Sequence, residues 1–406
     1  MGEEKDLSKS PANPATRSTP TFSFGKVVAI SAALLVVGLV VGWFTARAYP
    51  QFTLAQSASP LETQQFQEVR SILKNSYDGD LDPAKQGEGA ISGYVAALGD
   101  PYTTYLNPQQ AKELADDLKG ELSGIGVEVG IKKDRLTVIS PIDGTPAAKA
   151  GLKSGDVIAL IDGQDTSQMT LDDAVKKIRG EKGTEVKLTI LRGTESPKEI
   201  IVTRDTITVS SVNVEVKDGN VGYIRLRRFG DDTDEAIRKA TADLAAKGIN
   251  KIVLDLRDNP GGYLNSAVTV TSEFLADGTV VEERGRHIAT KKLTANPGGN
   301  LTQAKLVILI NEGSASASEI TAGALKDNGR AILVGEKSYG KGKVQEVKEL
   351  SGGAQLKVTV ASWYTPNGVN ISKEGIKPDI EVKNSSEDSN AGRDPQLDRA
   401  LQEAKQ

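Results

Sequence analysis

The alternation of apolar and polar positions predicts a compact α/β unit between residues 305 and 345. An uninterrupted apolar run over 305–310 is typical of a strand that is buried on both faces. Small, turn-prone residues follow, and a helical pattern then runs from Ser316 to Asn328 and Gly329. A second buried strand is expected over 331–334. The predicted order is therefore strand, tight loop, helix and strand, with a serine where the helix begins.

The position of Ser316 allows two interpretations. A helix N-terminus gathers unpaired N–H groups and positive potential, and both can stabilise a developing oxyanion beside a serine nucleophile. Ser316 and Glu319 also fit a capping box, in which the serine would only cap the helix and Glu319 would cap it or support a site.

A serine nucleophile needs a base. The single histidine, His287, lies in a charged run and the chain has no cysteine, so a lysine with a lowered pKa is the remaining familiar activator. Two lysines, Lys341 and Lys343, follow in a glycine-flanked segment. Period-two alternation would place them and Gln345 on one strand face, so spacing alone does not choose between them.

Two segments resemble the C-terminal processing peptidases, also called tail-specific proteases. They are SASASEITAGALKDNGRA, which begins at residue 314, and GKGKVQ, which begins at residue 340. The resemblance implies that Ser316 is the nucleophile, that Lys341 is the base and that Gln345 orients the lysine amine.

A third matching segment, DLRDNPGG, ends a predicted buried strand over 251–257. Asp255 and Arg257 are expected to form an internal ion pair that holds the following turn. Bare glycine backbone allows N–H groups to approach a substrate carbonyl, so Gly261 or Gly262 could form half of an oxyanion hole. The resemblance pairs one of them with the N–H of Ala317, and which glycine donates stays open.

Residues 118–205 contain several short strands and one helix that resemble a PDZ domain. The resemblance assigns a carboxylate-binding loop and apolar pocket to four consecutive residues: Gly124, Ile125, Gly126 and Val127. Leu171, Val175 and Ile178 form a helix face that could wall a groove for a peptide C-terminus. The alternative is that the two glycines only form turns.

An uncharged apolar run between Lys26 and Arg47 is long enough to cross a bilayer. Four basic residues precede it, which predicts a cytoplasmic N-terminus and an extracytoplasmic remainder. A cleaved signal peptide is the competing interpretation, because residues 46–48 have the A-x-A form. A buried soluble helix is disfavoured because the run lacks a polar face.

The pattern and the two resemblances together divide the chain into seven segments. They are a disordered cytoplasmic tail over 1–24, an anchor over 25–46, a linker over 47–58, a helical region over 59–117, a PDZ domain over 118–205, a peptidase core over 206–384 and a polar tail with a short helix over 385–406. Within the helical region, the DPYTTYL segment at 100–106 resembles a structural signature of the family, and Tyr102 and Tyr105 are expected to be core aromatics.

The amino-acid composition excludes several kinds of binding site. The 406 residues carry 50 basic and 54 acidic side chains, without a basic patch interleaved with aromatics, so nucleic acid is an unlikely partner. The absence of cysteine and the single histidine exclude a structural zinc site of the usual ligands, and no phosphate-binding loop is present. No metal or cofactor is expected.

The alternation of strands and helices over 206–384 predicts an α/β core. The resemblance implies that it is a ClpP/crotonase-like core with an inserted PDZ domain, preceded by a helical N-terminal region and one transmembrane helix. The expected function is that of a membrane-anchored, extracytoplasmic serine endopeptidase, which processes exported proteins with apolar C-termini. A homo-oligomer and a regulatory partner are compatible with this function. A PDZ adaptor with an inactive core is the alternative, and a crotonase-type acyl-CoA enzyme is disfavoured.

Overall fold

The structure is a computed structural model of the 406-residue chain. It describes residues 60–132, 135–142, 144–385, 387–388 and 391–406. The predicted disordered tail, membrane anchor and linker lie outside these residues. Within the described part of the chain, no helix is both long enough and apolar enough to cross a membrane.

The chain divides into two compact units, 1–83 and 84–406. The described part of the first unit is mainly helix α1, Pro60–Ser76, which confirms the predicted helix. The apolar residues at helical spacing are all more than a third exposed: Phe66, Val69, Ile72 and Leu73.

The second unit contains the remaining helices and all the described strands. The helices are α2 (Pro83–Ala96), α3 (Pro108–Lys119), α4 (Pro146–Lys149), α5 (Leu171–Ile178), α6 (Thr233–Ala246), α7 (Leu264–Ser272), α8 (Ala317–Asp327) and α9 (Pro395–Lys405). The strands are β1 (Thr104–Leu106), β2 (Glu121–Gly124), β3 (Val127–Lys132), β4 (Arg135–Pro141), β5 (Val157–Ile161), β6 (Gln164–Asp165), β7 (Glu185–Leu191), β8 (Lys198–Thr203), β9 (Asp205–Thr208), β10 (Val212–Lys217), β11 (Val221–Leu226), β12 (Lys251–Asp255), β13 (Thr279–Arg284), β14 (Lys291–Thr294), β15 (Lys305–Ile310), β16 (Ala331–Gly335), β17 (Lys343–Glu349), β18 (Gln355–Tyr364) and β19 (Ile380–Glu381).

A six-stranded sheet forms the centre of this unit, in the order β10-β11-β12-β15-β16-β19. Only β10 is antiparallel to its neighbour, and the other pairs are parallel. Leu254 and Ile308 face one apolar cluster with α6, α7 and α8, whereas Val253 and Val307 face a second cluster with α9. The apolar run over 305–310 is therefore a strand buried on both faces, as its pattern predicts.

A second sheet has the order β1-β18-β13-β14, with β17 on the other edge of β18. Strand β1 lies in the DPYTTYL segment, between the helices of the region 59–117. Thr104 to Leu106 pair antiparallel with Lys357 to Gln355, and this long-range pairing prevails over the helical pattern on either side. The DPYTTYL segment thus lies across β18 from β17, within reach of the Gln345 side chain and of the lysine that precedes β17.

A third sheet, β3-β4-β5-β7-β8 with β6 on β5, forms a separate apolar core with α5. Strands β2 and β9 flank it and pair antiparallel, with Glu121 opposite Thr208. The chain therefore enters and leaves this domain at one place, as expected of an inserted domain.

The C-terminal helix α9 covers the second face of the central sheet, and its Ala400 and Ala404 are fully buried there. Asp394 precedes the helix and caps it by accepting the Leu397 N–H at 3.0 Å. The same carboxylate receives both terminal nitrogens of Arg257, at 2.8 and 2.9 Å. The tail is thus hydrogen-bonded to the end of β12, which leads into the turn of residues 258–262, here called the glycine turn.

We predict that Asp394→Ala lowers the free energy of unfolding by about 2 kcal/mol or more, because the helix loses its cap and a buried guanidinium loses a bidentate partner. Urea unfolding followed by circular dichroism measures the change. Asp398→Ala, an exposed position one turn further on, is the matched control and should stay within about 0.5 kcal/mol of wild type. Equal effects of the two substitutions would contradict this role for the tail.

Candidate active site

Three serines alternate with alanines in the loop from β15 to α8, and the structure distinguishes the middle one. Ser314 and Ser318 are fully buried, and their hydroxyls donate to the carbonyls of Leu256 and Asn259 at 2.8 and 2.9 Å. Ser316 is partly exposed and forms a capping box with Glu319, but its hydroxyl donates to no acceptor among the described residues. Only the middle serine therefore has a hydroxyl that is free to react.

The backbone of Ser316 has φ 55° and ψ −115°, a conformation that residues other than glycine seldom adopt. Strain of this kind persists only where surrounding contacts enforce it. Here the Ser316 N–H donates to Glu319 Oε2 at 2.8 Å, and the Ala315 N–H donates to the Asn259 carbonyl at 3.0 Å. These bonds hold the serine at the sharp turn between strand and helix.

Glu319 is fully buried and accepts four hydrogen bonds. Its Oε1 receives the Ser338 hydroxyl at 2.6 Å and the Gly340 N–H at 2.7 Å. Its Oε2 receives the N–H groups of Ser316 and Lys341 at 2.8 and 3.0 Å. One carboxylate oxygen thus fixes the backbone of both predicted catalytic residues, so Glu319 supports the site as well as the helix end.

Lys341 reaches this position because both its neighbours are glycines. Gly340 has φ 93°, and a Cβ there would lie 3.0 Å from the backbone of Lys373. A Cβ at Gly342 would lie 2.7 Å from the Ser372 hydroxyl oxygen. The Lys341 carbonyl accepts the indole N–H of the buried Trp363 at 2.9 Å, which anchors the segment to β18.

The structure separates the two candidate lysines. Lys343 Nζ donates to the Ser362 hydroxyl at 3.1 Å, whereas Lys341 Nζ has no hydrogen-bond or ion-pair partner among the described residues. Burial lowers the pKa of the Lys341 amine, and repulsion from Lys357 lowers it further, against an opposing attraction from Glu319. Lys341 is therefore the lysine whose environment favours a neutral amine.

Gln345 lies on β17 opposite Thr359 of β18. Its side-chain Nε2 donates to the backbone carbonyl of Tyr102, and the Tyr102 ring lies 5.6 Å from Lys341 Nζ. The prediction that Tyr102 and Tyr105 are core aromatics is wrong: both are only partly buried, and β1 lies beside the site. The sequence pattern could not show the contact, because it depends on pairing between residues 250 positions apart in the chain.

The glycine turn lies directly against the serine loop. A Cβ on Gly261, whose φ is 101°, would lie 2.8 Å from Ser316 Cβ and 2.9 Å from the Ala317 nitrogen. The Gly261 N–H already donates to Asn259 Oδ1 at 2.9 Å. Among the described residues, the N–H groups of Gly262 and Ala317 have no such acceptor. Of the two glycines, Gly262 is thus the one whose N–H is free to donate.

Asn259 is a site residue that the sequence motifs did not single out. It is fully buried, and its Nδ2 donates to the Leu226 carbonyl at 2.8 Å while its own carbonyl accepts from Ala315 and Ser318. Asp258 adds a second tie, because its N–H and carboxylate both bond to the Asn311 amide at 2.8 Å. The glycine turn and the serine loop therefore form one rigid element.

Asp255 and Arg257 form the expected internal ion pair, with the guanidinium 2.6 Å from the carboxylate at its shortest. Burial by itself would raise the pKa of Asp255, but hydrogen bonds from Arg257 and the charge of Arg225 outweigh it and hold this pKa below its ordinary value. The pair joins the end of β12 to the tail through Asp394. The ion pair supports the glycine turn from the side away from Ser316 and makes no hydrogen bond with this serine.

The four predicted PDZ residues line one groove of about 180 Å³, together with Val175 and Ile178 of helix α5. Leu171, the third residue predicted for this wall, is exposed at the start of the helix and does not line the groove. Gly126 has φ 74°, and a Cβ there would lie 2.4 Å from Thr145, so glycine is required at this turn. Arg179 at the end of α5 also lines the groove and adds a positive charge that the motifs did not indicate.

Comparisons with known proteins agree with this arrangement. The chain matches the family model of peptidase family S41 over residues 220–382, a PDZ domain over 113–191 and the N-terminal domain of the activating protease CtpB over 45–110. It is 41% identical to a carboxy-terminal-processing protease of Bartonella bacilliformis over 82% of this chain and 77% of that protein. It is 40% identical to a probable CtpA-like serine protease of Staphylococcus aureus over 77% of this chain and 63% of that protein.

Solved structures give the same relationship. A photosystem II D1 C-terminal processing protease is 31% identical, with a TM-score of 0.50 over 78% of this chain and 86% of that one. A putative S41 protease of Bacteroides fragilis shares the fold at 19% identity, with a TM-score of 0.56 over 80% of this chain and 92% of that one. Fold and sequence together define a serine protease of peptidase family S41 with a PDZ domain. Within it, the chain belongs to the carboxy-terminal-processing proteases, which confirms the resemblance.

We predict that Glu319→Gln lowers the free energy of unfolding by about 2–4 kcal/mol and slows proteolysis at least about tenfold. The new amide nitrogen would face N–H or O–H donors, and at least one of four buried hydrogen bonds would be lost. Urea unfolding and a tail-cleavage assay measure the two effects. Glu312→Gln, an exposed change in the same loop, is the control and should leave both unchanged. Wild-type behaviour of Glu319→Gln would contradict the role of this carboxylate.

Proposed function

We propose that the chain is a membrane-anchored, extracytoplasmic endopeptidase in which Ser316 and Lys341 form a Ser-Lys dyad that processes the C-terminal tails of exported proteins. The observation that carries this proposal is the shared carboxylate of Glu319. It holds Ser316, which alone among the three serines of this loop has a hydroxyl without an acceptor in the described residues, and the glycine-flanked Lys341, whose amine has no partner there.

The chemistry follows from these groups. The Ser316 hydroxyl oxygen attacks the scissile carbonyl carbon while the neutral Lys341 amine takes the hydroxyl proton. The amine then returns this proton to the leaving nitrogen as the peptide bond breaks. Water attacks the acyl-enzyme in the second half of the reaction, with Lys341 again as the base. No step needs a metal or a cofactor.

Backbone N–H groups stabilise the charge that develops on the carbonyl oxygen. Ala317 supplies one from the first position of α8, where the helix dipole adds to its effect. Gly262 supplies the other, since the Gly261 N–H is held by Asn259. Gln345 holds the orientation of the lysine amine from β17.

The groove of the PDZ domain selects the substrate. The groove-lining backbone of Gly124 to Val127 receives the terminal carboxylate, and Val175 and Ile178 favour an apolar last side chain. Tail binding can also regulate the protease, provided that a tail has a higher affinity for the active arrangement than for an inactive one. Formation of a homo-oligomer or binding of a regulatory partner would shift the same equilibrium between active and inactive arrangements.

Residues 25–46 anchor the chain in the cell membrane, and the positive charges before them keep the N-terminus in the cytoplasm. The PDZ domain and the peptidase core are then outside the cytoplasm, where exported proteins are the available substrates. Limited proteolysis of sealed vesicles in the cellular orientation would test this placement. The added protease should digest the peptidase core and leave residues 1–24 protected.

We predict that Lys341→Ala lowers cleavage of an unfolded substrate with an apolar C-terminus by at least about a thousandfold, because Ser316 loses its base. Ser316→Ala should lose activity to a similar extent. Lys343→Ala is the matched control and should retain turnover, because its amine is occupied by Ser362. Cleavage should increase as the pH rises through the pKa of Lys341, since only the neutral amine accepts the proton.

The same substrate with a charged C-terminal extension separates tail recognition from chemistry. Wild type should cleave the blocked substrate more slowly, whereas tail binding by Ser316→Ala should match that of wild type. Retained turnover in Lys341→Ala would contradict the dyad. Tight tail binding without cleavage by wild type would favour the adaptor interpretation instead.

A further inference from the structure

A network of hydrogen bonds fixes the position of Tyr102 in the turn at residues 100–103. The Asp100 carboxylate accepts the Tyr102 N–H at 3.1 Å and the Thr103 hydroxyl at 2.6 Å. The Thr103 oxygen in turn accepts the Thr359 N–H at 3.1 Å, which ties the turn to β18. Because β1 follows the turn directly and pairs with β18, the turn is held against this strand.

Tyr102 contacts the two groups that determine the state of the proposed base. Its ring lies over Lys341 Nζ, with the centroid 5.6 Å away, and its backbone carbonyl accepts the Gln345 amide N–H. Within the described part of the chain, Tyr105, three residues further on, makes no hydrogen bond or ring contact with either group.

We propose that Tyr102 is a positioning residue of the active site. Its ring shields the Lys341 amine from water, and its carbonyl fixes which end of the Gln345 amide faces the lysine. This proposal rests on the proposed Ser-Lys function and deepens it, since it assigns a role to a segment outside the peptidase motifs.

The carbonyl decides the orientation of Gln345 because a carbonyl oxygen can only accept. Nε2 must therefore face Tyr102, and Oε1 remains as an acceptor without a partner among the described residues. A neutral lysine amine has two N–H donors and one lone pair. If one N–H bonds to Oε1, the lone pair can point towards the Ser316 hydroxyl.

Charged groups on neighbouring elements also influence the Lys341 amine and the Tyr102 ring. Glu319 of α8 faces the Lys341 amine and raises its pKa, whereas Lys357 of β18 lowers it. Tyr339, Glu319 and Asp100 face Tyr102 itself. Since burial is the largest influence on this amine, removal of the ring should admit water while both charged neighbours stay in place. The pKa of Lys341 should then rise towards its ordinary value.

Competitive acetylation measures the amine directly, without any need for turnover. Full-length Ser316→Ala protein is treated with trace acetic anhydride across a pH series, and acetylation of Lys341 is quantified by peptide mass spectrometry. Tyr102→Ala in this background should shift the midpoint upward by about one pH unit, which is about a tenfold lower rate below both midpoints. Tyr102→Leu should shift it by less.

Two further variants separate ring, hydroxyl and fold. Tyr102→Phe keeps the ring and should keep the midpoint of its Ser316→Ala parent. Tyr105→Ala changes the neighbouring tyrosine and should also leave the midpoint unchanged. A parallel series in the active enzyme should move the ascending limb of the pH–rate profile upward for Tyr102→Ala alone.

The outcomes distinguish this proposal from the proposed function. An unchanged or lowered midpoint in both Tyr102→Ala and Tyr102→Leu, with melting curves that show folded protein, would overturn it. A shift in Tyr102→Phe or in Tyr105→Ala equal to that in Tyr102→Ala would also overturn it. If the midpoint shifts as expected but wild type does not need Ser316 for cleavage, the dyad fails while the assignment of Tyr102 as the shield of Lys341 stands.

Discussion

The buried carboxylate of Glu319 is the interaction on which the site depends. It brings together the serine turn after β15 and the glycine-flanked segment before β17, which are separated by α8 and β16 and adjoin different sheets. A buried carboxylate is stable only when it is fully hydrogen-bonded, and here four donors satisfy it. Because each donor is a backbone N–H or a buried hydroxyl, the geometry is set by the fold rather than by flexible side chains.

The second constraint is the strained backbone at Ser316. The positive-φ conformation turns its hydroxyl out of the loop, while the flanking serines donate inward to the carbonyls of Asn259 and of Leu256, the residue after β12. Asn259 connects that turn to the loop, and the Asp255–Arg257 pair with Asp394 supports it from behind. The C-terminal helix thereby contributes to the rigidity of a site that it does not touch.

The hydrophobic periodicity and the family motifs predicted different parts of this structure. Periodicity alone predicted strand β15 and helix α8, because each is long, local and apolar on the buried side. It could not choose between a capping serine and a reactive one, or between Lys341 and Lys343, since these choices depend on hydrogen bonds made by distant residues. The family resemblance supplied the choice, and the contacts of Ser318 and Lys343 give it a physical reason.

The errors have the same origin. Tyr102 was expected in the core because its side chain is large and aromatic, but the pairing of β1 with β18 places it beside the lysine instead. Asn259 carries no signal in a single sequence, since a turn asparagine is common and only the fold shows that its amide and carbonyl join two loops. In both cases the missing information is the long-range strand register.

The most direct test of the central claim is covalent labelling of Ser316 by a fluorophosphonate, located by peptide mass spectrometry, in wild type and in Lys341→Met and Lys343→Met variants. The account predicts rapid labelling of Ser316 in wild type and in Lys343→Met. It also predicts loss of labelling in Lys341→Met, with Ser314 and Ser318 unlabelled throughout. Labelling of Ser316 at the wild-type rate in Lys341→Met would contradict the claim that this lysine activates this serine.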